Sequence, residues 1–182
     1  TVRLLRGPLA GFKGLANAVI RKVDRIPDNT DAAQVNTPEW LWRSGKAAYG
    51  EDTARAIAMA HAGEPPLDLS VARDPAAWAE KLDGTVLPTG TIRRPIGGDP
   101  SALPGFADGA WWVQDAAAAL PARLLGPVEG REVIDLCAAP GGKTAQLAAA
   151  GAKVTAVDRS GSRLKRLREN MERLDLSVTV VE

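Results

Sequence analysis

Near the start of the chain, apolar residues recur at helical spacing. Phe12, Leu15, Ala16, Val19, Ile20 and Val23 fall on one face of a helix over 11–25, and Lys13, Arg21, Lys22 and Arg25 fall elsewhere. Residues 27–36 are polar and turn-rich and read as a linker. Thr37-Pro38 reads as an N-cap with proline in the first turn of a helix that carries Trp40 and Leu41 and stops near Gly50. A second, alanine-rich helix over 52–62 ends at Gly63 and Pro65-Pro66. The two are expected to form a helical hairpin.

The pattern changes at Leu67. Leu67, Leu69 and Val71 alternate with Asp68 and Ser70, the signature of a half-buried strand. Asp74-Pro75 caps a short helix with Trp78 and Leu82, and residues 84–104 are rich in Gly and Pro, with strand candidates at 85–87 and 91–93. Trp111-Trp112-Val113 is another. From Gln114 onward Asp115 caps an alanine-rich helix running toward Leu125, which Pro121 bends or splits. Strands over 132–137, 153–157 and 177–181 then alternate with helices over 143–149 and 162–174. Alternation of this kind implies parallel pairing with right-handed crossovers. The strands are nearly all apolar, as expected when both faces are covered.

Composition adds limits. A chain of 182 residues can bury a core in one or two domains. The formal net charge is +1, so charge alone does not call for nucleic acid. Its distribution is less even: Arg3, Arg6, Lys13, Arg21, Lys22 and Arg25 crowd one segment, and Arg159, Arg163, Lys165, Arg166, Arg168 and Arg173 another. These are two solvated helix faces or a phosphate-facing surface. The single cysteine, Cys137, excludes an internal disulfide and fits a reducing, cytoplasmic compartment. No apolar stretch approaches a membrane span, and no signal-peptide pattern is present. The chain lacks an initiator Met and reads as a fragment of a longer protein. Lone His61 has no Cys or His partner at metal spacing, so no metal site is expected. The five tryptophans read as core anchors, with Trp42 the one candidate for base stacking.

The chemistry concentrates in Val133 to Thr144. An apolar run ends in the small-residue loop Cys137-Ala138-Ala139-Pro140-Gly141-Gly142, which opens a helix at Lys143. Glycine lets a ligand lie against the backbone without a Cβ clash, and the loop amides and helix N-terminus then face that ligand. A second apolar run stops at Asp158, roughly 20 residues on, where a carboxylate can accept from both ribose hydroxyls and would repel a 2′-phosphate. Asp158 alone would read as a helix N-cap. A P-loop needs Gly five positions before its last Gly, and Cys137 stands there, while Pro140 removes a cradling amide. The dinucleotide pattern Gly-x-Gly-x-x-Gly does not match either. S-adenosylmethionine, which needs a ribose acid and a close loop but has no phosphate, fits best.

Asp135 to Thr144 resembles the cofactor loop of the RNA cytosine-C5 methyltransferases, and Ala156-Val157-Asp158 with Arg163-Leu164 and Asn170 resembles the segment after it. Leu103-Pro104-Gly105-Phe106 and Val113-Gln114-Asp115 resemble the entry to that domain in the bacterial Sun/Fmu group, which methylates small-subunit ribosomal RNA. Residues 16–21 resemble the last helix of that group's NusB-like RNA-binding domain, and Thr37 to Leu41 its connector.

The resemblance implies an α/β fold: the first half of a Rossmann-like S-adenosylmethionine-dependent methyltransferase sheet, after a small α+β connector and a helical remnant. The expected domains are 1–35, 36–113 and 114–182. By carry-over, Cys137, Ala138, Ala139, Pro140, Gly141, Gly142 and Lys143 line the cofactor and Asp158 holds its ribose; Asp135 faces the cofactor's methionine end or caps loop amides. The implied reaction adds a cysteine thiolate to cytosine C6, so that C5 becomes nucleophilic enough to take the methyl group. The family's two cysteines, in a Pro-Cys and a Thr-Cys step, follow the third strand, and Cys137 matches neither. It reads as a buried small hydrophobe in the pocket wall. The chain is therefore expected to carry the cofactor loop, no catalytic residue and no activity of its own. Two alternatives stay open: an RNA-binding scaffold with an idle nucleoside site, and a P-loop-like nucleotide-binding protein. Two departures stand out. Ser70 and Ala72 replace the family's Arg-x-Asn step, and Gly45 sits inside a helix, where it costs about 1 kcal/mol relative to Ala.

Overall fold

The computed structural model describes residues 7–22, 30–95 and 99–182. The chain divides into two compact units, Thr1–Gly63 and Glu64–Glu182.

The first unit is helical. A 3-10 turn, Gly7–Phe12, leads into α1, Lys13–Arg21. The helix expected over 11–25 thus begins at Lys13, and Val23 and Arg25 lie outside the described residues, as do Arg3 and Arg6 of the basic segment. The expected linker is partly structured. Asp31 accepts from the Gln34 amide at 3.3 Å and starts one helical turn, α2, Ala32–Val35. Helices α3, Glu39–Tyr49, and α4, Glu51–Ala62, form the expected hairpin around Gly50, whose φ of 81° suits glycine. Thr37 does not cap α3; its hydroxyl donates to the Ala33 carbonyl at 2.7 Å instead. Trp42 is buried with Ala33 and Ala58, with the Arg55 guanidinium 5.6 Å from its ring centroid. Trp40 is exposed, which removes it from the expected core anchors. A Cβ on Gly45 would meet Ala54 Cβ at 3.6 Å, an ordinary contact, so packing does not demand the glycine.

The second unit holds two sheets. β1 (Leu67–Val71), β2 (Thr85–Val86), β3 (Ile92–Arg94) and β4 (Trp111–Val113) form an antiparallel sheet in the order β2-β3-β1-β4. Helix α5, Pro75–Lys81, is capped by Asp74, whose carboxylate accepts from the Ala77 amide. Leu69, Ala79, Leu82, Ile92 and Trp111 form the core of this part. The alternation of β1 predicts one polar face open to water. In fact Asp68 and Ser70 are buried too, because β1 is a central strand with partners above its polar face.

The helix expected after Asp115 is shorter than its pattern. Asp115 accepts from the Ala117 and Ala118 amides, but residues 116–119 form turns, and α6 covers only Leu120–Arg123 with Pro121 in its first turn. Proline supplies no amide to close a longer helix through that point.

β5 (Glu132–Leu136), β6 (Lys153–Val157) and β7 (Thr179–Val181) form the expected parallel sheet in sequence order. Helix α7, Gly142–Ala149, joins β5 to β6, and α8, Gly161–Arg173, joins β6 to β7. Val154 and Ala156 of β6 pack with Leu147 of α7 and with Leu164, Leu167 and Met171 of α8. Both helices therefore lie on one face. Successive crossovers of one hand that step in one direction must do so. The register sets Ile134 beside Thr155 and Thr179, and Leu136 beside Val157 and Val181, on the opposite face. There Ile134 is 67% and Leu136 70% exposed. The expectation that both faces are covered fails for the described residues.

Candidate functional site

The loop sits where β5 ends. Cys137 leaves the strand with a φ of 60°, and this turn carries its side chain outward. The cysteine is exposed, which corrects the expectation of a buried one. Ala138 and Ala139 are buried in the core that α8 makes with β6 and Trp112. Side chains of this size let the loop lie flat between the sheet end and α8. Gly141, with a φ of 105°, is the N-cap of α7. A Cβ there would come within 3.2 Å of both Leu167 and Met171, so the glycine serves backbone conformation and close packing together.

Asp158 ends β6 and is 3% exposed. One carboxylate oxygen accepts from the Ala139 amide at 3.1 Å and lies 3.4 Å from Arg163 Nη1; the other accepts from the Ser160 amide at 3.1 Å. The acid and the loop, read as separate signals in the sequence, are thus joined directly. A carboxylate has about four lone-pair positions, so acceptor capacity remains. Asp158 is not itself the N-cap of α8, a position that falls to Ser160; it holds the Ser160 amide just before the helix, and it holds the loop.

Helix α8 fixes the loop from outside. Arg163 Nη2 donates to the Ala139 carbonyl, and Asn170 Nδ2 donates to the Pro140 carbonyl at 2.9 Å. The sequence shows Arg163 and Asn170 only as parts of a resemblance; their task, satisfying two loop carbonyls, is visible only in three dimensions. Beneath the loop Thr144 Oγ1 donates to Asp135 at 2.6 Å. Asp135 therefore braces the first turn of α7 and does not cap loop amides. Lys143 is exposed in that same turn.

Gln114 ties this site to the antiparallel sheet. Its carbonyl oxygen accepts from Ser70 Oγ at 2.8 Å and Trp112 Nε1 at 3.0 Å, and its amide nitrogen donates to Gln146 of α7 at 2.9 Å. Gln146 in turn donates to the Ala119 carbonyl at 3.0 Å. Ser70, which stands where the sequence lacks an expected arginine, is thus committed to an internal network. At the far end of α8, Arg173 Nη1 donates to the Phe106 and Trp111 carbonyls, and its guanidinium lies 4.1 Å from the Phe106 ring centroid. Burial pushes the pKa of Arg173 down from its ordinary value.

The donor set suits a nucleoside-bearing amino acid. The first-turn amides of α7 have no side-chain cap, so they and Lys143 can meet a carboxylate, while Asp158 can meet hydroxyls. Among the described residues no cluster of His, Cys, Asp and Glu could hold a metal ion, and no helix is long and apolar enough to cross a membrane.

Residues 122–182 match the family of 16S rRNA methyltransferases RsmB/F. Over 97% of its length the chain is 34% identical to ribosomal RNA small subunit methyltransferase B of Vibrio cholerae, and it covers 44% of that protein. It is 36% identical over 93% of its length to the protein of the same name from Shigella sonnei, covering 43%. The chain thus spans less than half the length of these relatives. Among solved structures, PH0851 superposes with a TM-score of 0.75 at 22% identity, over 94% of this chain and 42% of that one. NSun6 from Pyrococcus horikoshii with SFG superposes with a TM-score of 0.69 at 18% identity, over 80% and 65%. These structural likenesses establish the fold, a partial Rossmann-like sheet.

Proposed function

We propose, from the premise that residues 122–182 belong to the RsmB/F family, that this chain is the cofactor-binding part of an S-adenosylmethionine-dependent RNA methyltransferase. The reaction is transfer of a methyl group to C5 of a cytosine in small-subunit ribosomal RNA. The observation that carries the reading is the bond between Asp158 and the Ala139 amide. It unites a ribose acid with a loop built for close approach, and it commits the Ala139 amide to that acid. That combination favours S-adenosylmethionine over a nucleotide, and a working site over an idle one.

In this reading Cys137 to Lys143 line the cofactor and Asp158 accepts from its ribose. The bound cofactor supplies an electrophilic methyl group. The protein's part is placement: Arg163 and Asn170 fix the two loop carbonyls, and Gln114 and Asp135 fix α7. No cysteine here serves as nucleophile. Cys137 lies beside the cofactor, at neither family position, so catalysis is assigned outside these 182 residues. The division into a NusB-like helix (1–35), a connector (36–113) and a methyltransferase half (114–182) belongs to the same proposal, with cytoplasmic ribosomal RNA as partner.

Calorimetric titration of the chain with S-adenosylmethionine tests it. Asp158→Ala is expected to weaken binding by about 1–3 kcal/mol, the scale of a lost charged hydrogen bond. Unchanged affinity would remove the ribose role and leave Asp158 as a brace for the loop.

A further inference from the structure

Residues 163, 166 and 170 share one stripe of α8, by their i, i+3, i+7 spacing. Arg163 and Asn170 reach the loop carbonyls, so the stripe faces the outer side of the loop. Arg166 lies between them. With Pro140, Ser162 and Arg163 it lines a cavity of about 320 Å³. Arg163 spends part of its charge on buried Asp158, but its side chain is 54% exposed and retains donors. Arg166 forms no ion pair among the described residues. The nearby acids are otherwise occupied or removed: Glu169 stands 4.0 Å from Lys165, and the Glu182 carboxylate lies against Gly161 without lining the cavity.

We infer that this cavity seats a backbone phosphate of the substrate RNA, with Arg166 as the principal contact. The inference rests on the function proposed above. Two guanidinium groups on one open cavity give a positive potential, and the planar fork of Arg166 matches phosphate oxygens bidentately, while Arg163, engaged with the Ala139 carbonyl and Asp158, adds charge and its remaining donors. The Ser162 hydroxyl, 3.1 Å from the Ser160 hydroxyl, adds a donor where Ser160 donates within that pair. Pro140 closes one side without a backbone amide, so recognition is carried by side chains. The position matters as much as the charge. A base can be presented to the inner face of the loop only if its strand is held nearby, and a phosphate on the outer rim does that without occupying the cofactor's place.

Fluorescence anisotropy of a short labelled single-stranded RNA, titrated with the chain from about 50 to about 200 mM salt, tests the inference. Arg166→Ala is expected to lower affinity severalfold at low salt and to flatten the log–log salt slope by about 0.7, one phosphate on a single strand. Arg166→Lys, which keeps the charge, is expected to restore the slope. Arginine and alanine are both good helix formers, so circular dichroism should show α8 intact. S-adenosylmethionine affinity is expected to stay unchanged in both variants. An unaltered slope in Arg166→Ala, with RNA bound by the unsubstituted chain, overturns the phosphate site alone. Loss of cofactor affinity in Arg166→Ala overturns it in favour of a cofactor pocket. Failure of the unsubstituted chain to bind S-adenosylmethionine instead strikes the proposed function itself.

Discussion

The two sheets of the second unit invert the usual distribution of polarity. The antiparallel sheet buries polar groups: Asp68, Ser70 and Thr91 are nearly inaccessible, as is Gln114 just after β4. The parallel sheet exposes apolar ones, Ile134 and Leu136 above all. Both departures have mechanical causes. The buried polar groups have partners: Asp68 takes two hydrogen bonds from Arg93 and one from the Ala116 amide, and Ser70 and Gln114 satisfy each other. A buried polar group with its partners in place costs little, whereas one left alone costs the full desolvation penalty. The exposed residues result from two crossovers on one face. The antiparallel sheet is closed by specific bonds, and the parallel one carries its specificity at a single edge, the loop end.

If that contrast is right, the antiparallel sheet should fail abruptly when its centre is opened. Trp111 is fully buried, donates to the Pro104 carbonyl at 2.8 Å and meets Phe106 edge-on at 5.4 Å. Trp111→Ala should cost about 3–5 kcal/mol in a chemical denaturation experiment. A loss below 1 kcal/mol would mean that this sheet does not set the stability of its unit.

The next test removes a partner instead of volume. Hydrogen bonds from Arg93, aided by the Ala116 amide, hold the Asp68 carboxyl below its ordinary value, against the opposing effect of burial. A depressed carboxyl contributes stability that is present above its unfolded value, about 3.9, and is lost as pH falls through the folded value. Denaturation midpoints should therefore fall on acidification below about pH 4. Asp68→Ala should cost about 1–3 kcal/mol at neutral pH, by leaving the Ala116 amide without its acceptor and releasing half-exposed Arg93 to water, and should flatten the acid limb. An acid limb of unchanged steepness in the variant would assign that sensitivity to other carboxylates.

The contrast also explains what could be read in advance. The parallel strands and the loop were legible because apolar runs, glycines and a terminal aspartate are local signals. The β6 limits, Lys153–Val157, match the pattern residue for residue. The polar face of β1 was not legible, because alternation reports period and not what lies above each face. The open face of β5 was misread for the same reason: Val133 and Ile134 look equally buriable in sequence, and only the helix positions separate them. At the site, Asp158 and the loop were visible as separate motifs. Their mutual bond, and the grip of Arg163 and Asn170 on two loop carbonyls, depend on α8 passing over the loop, which no spacing rule specifies.

The smallest effect is expected on the open face, and there the direction of the result matters more than its size. Ile134 gains little from the fold, since two thirds of its surface meets water. Ile134→Thr keeps a β-branched side chain suited to a strand and removes apolar surface. Stability should change by no more than about 0.5 kcal/mol, as for exposed substitutions generally. Concentration-dependent light scattering should fall, because a patch shared by Ile134 and Leu136 favours self-association. A clear loss of stability would show that this face is covered in solution. The parallel sheet would then be as closed as the antiparallel one, and the contrast between them would hold only at the loop.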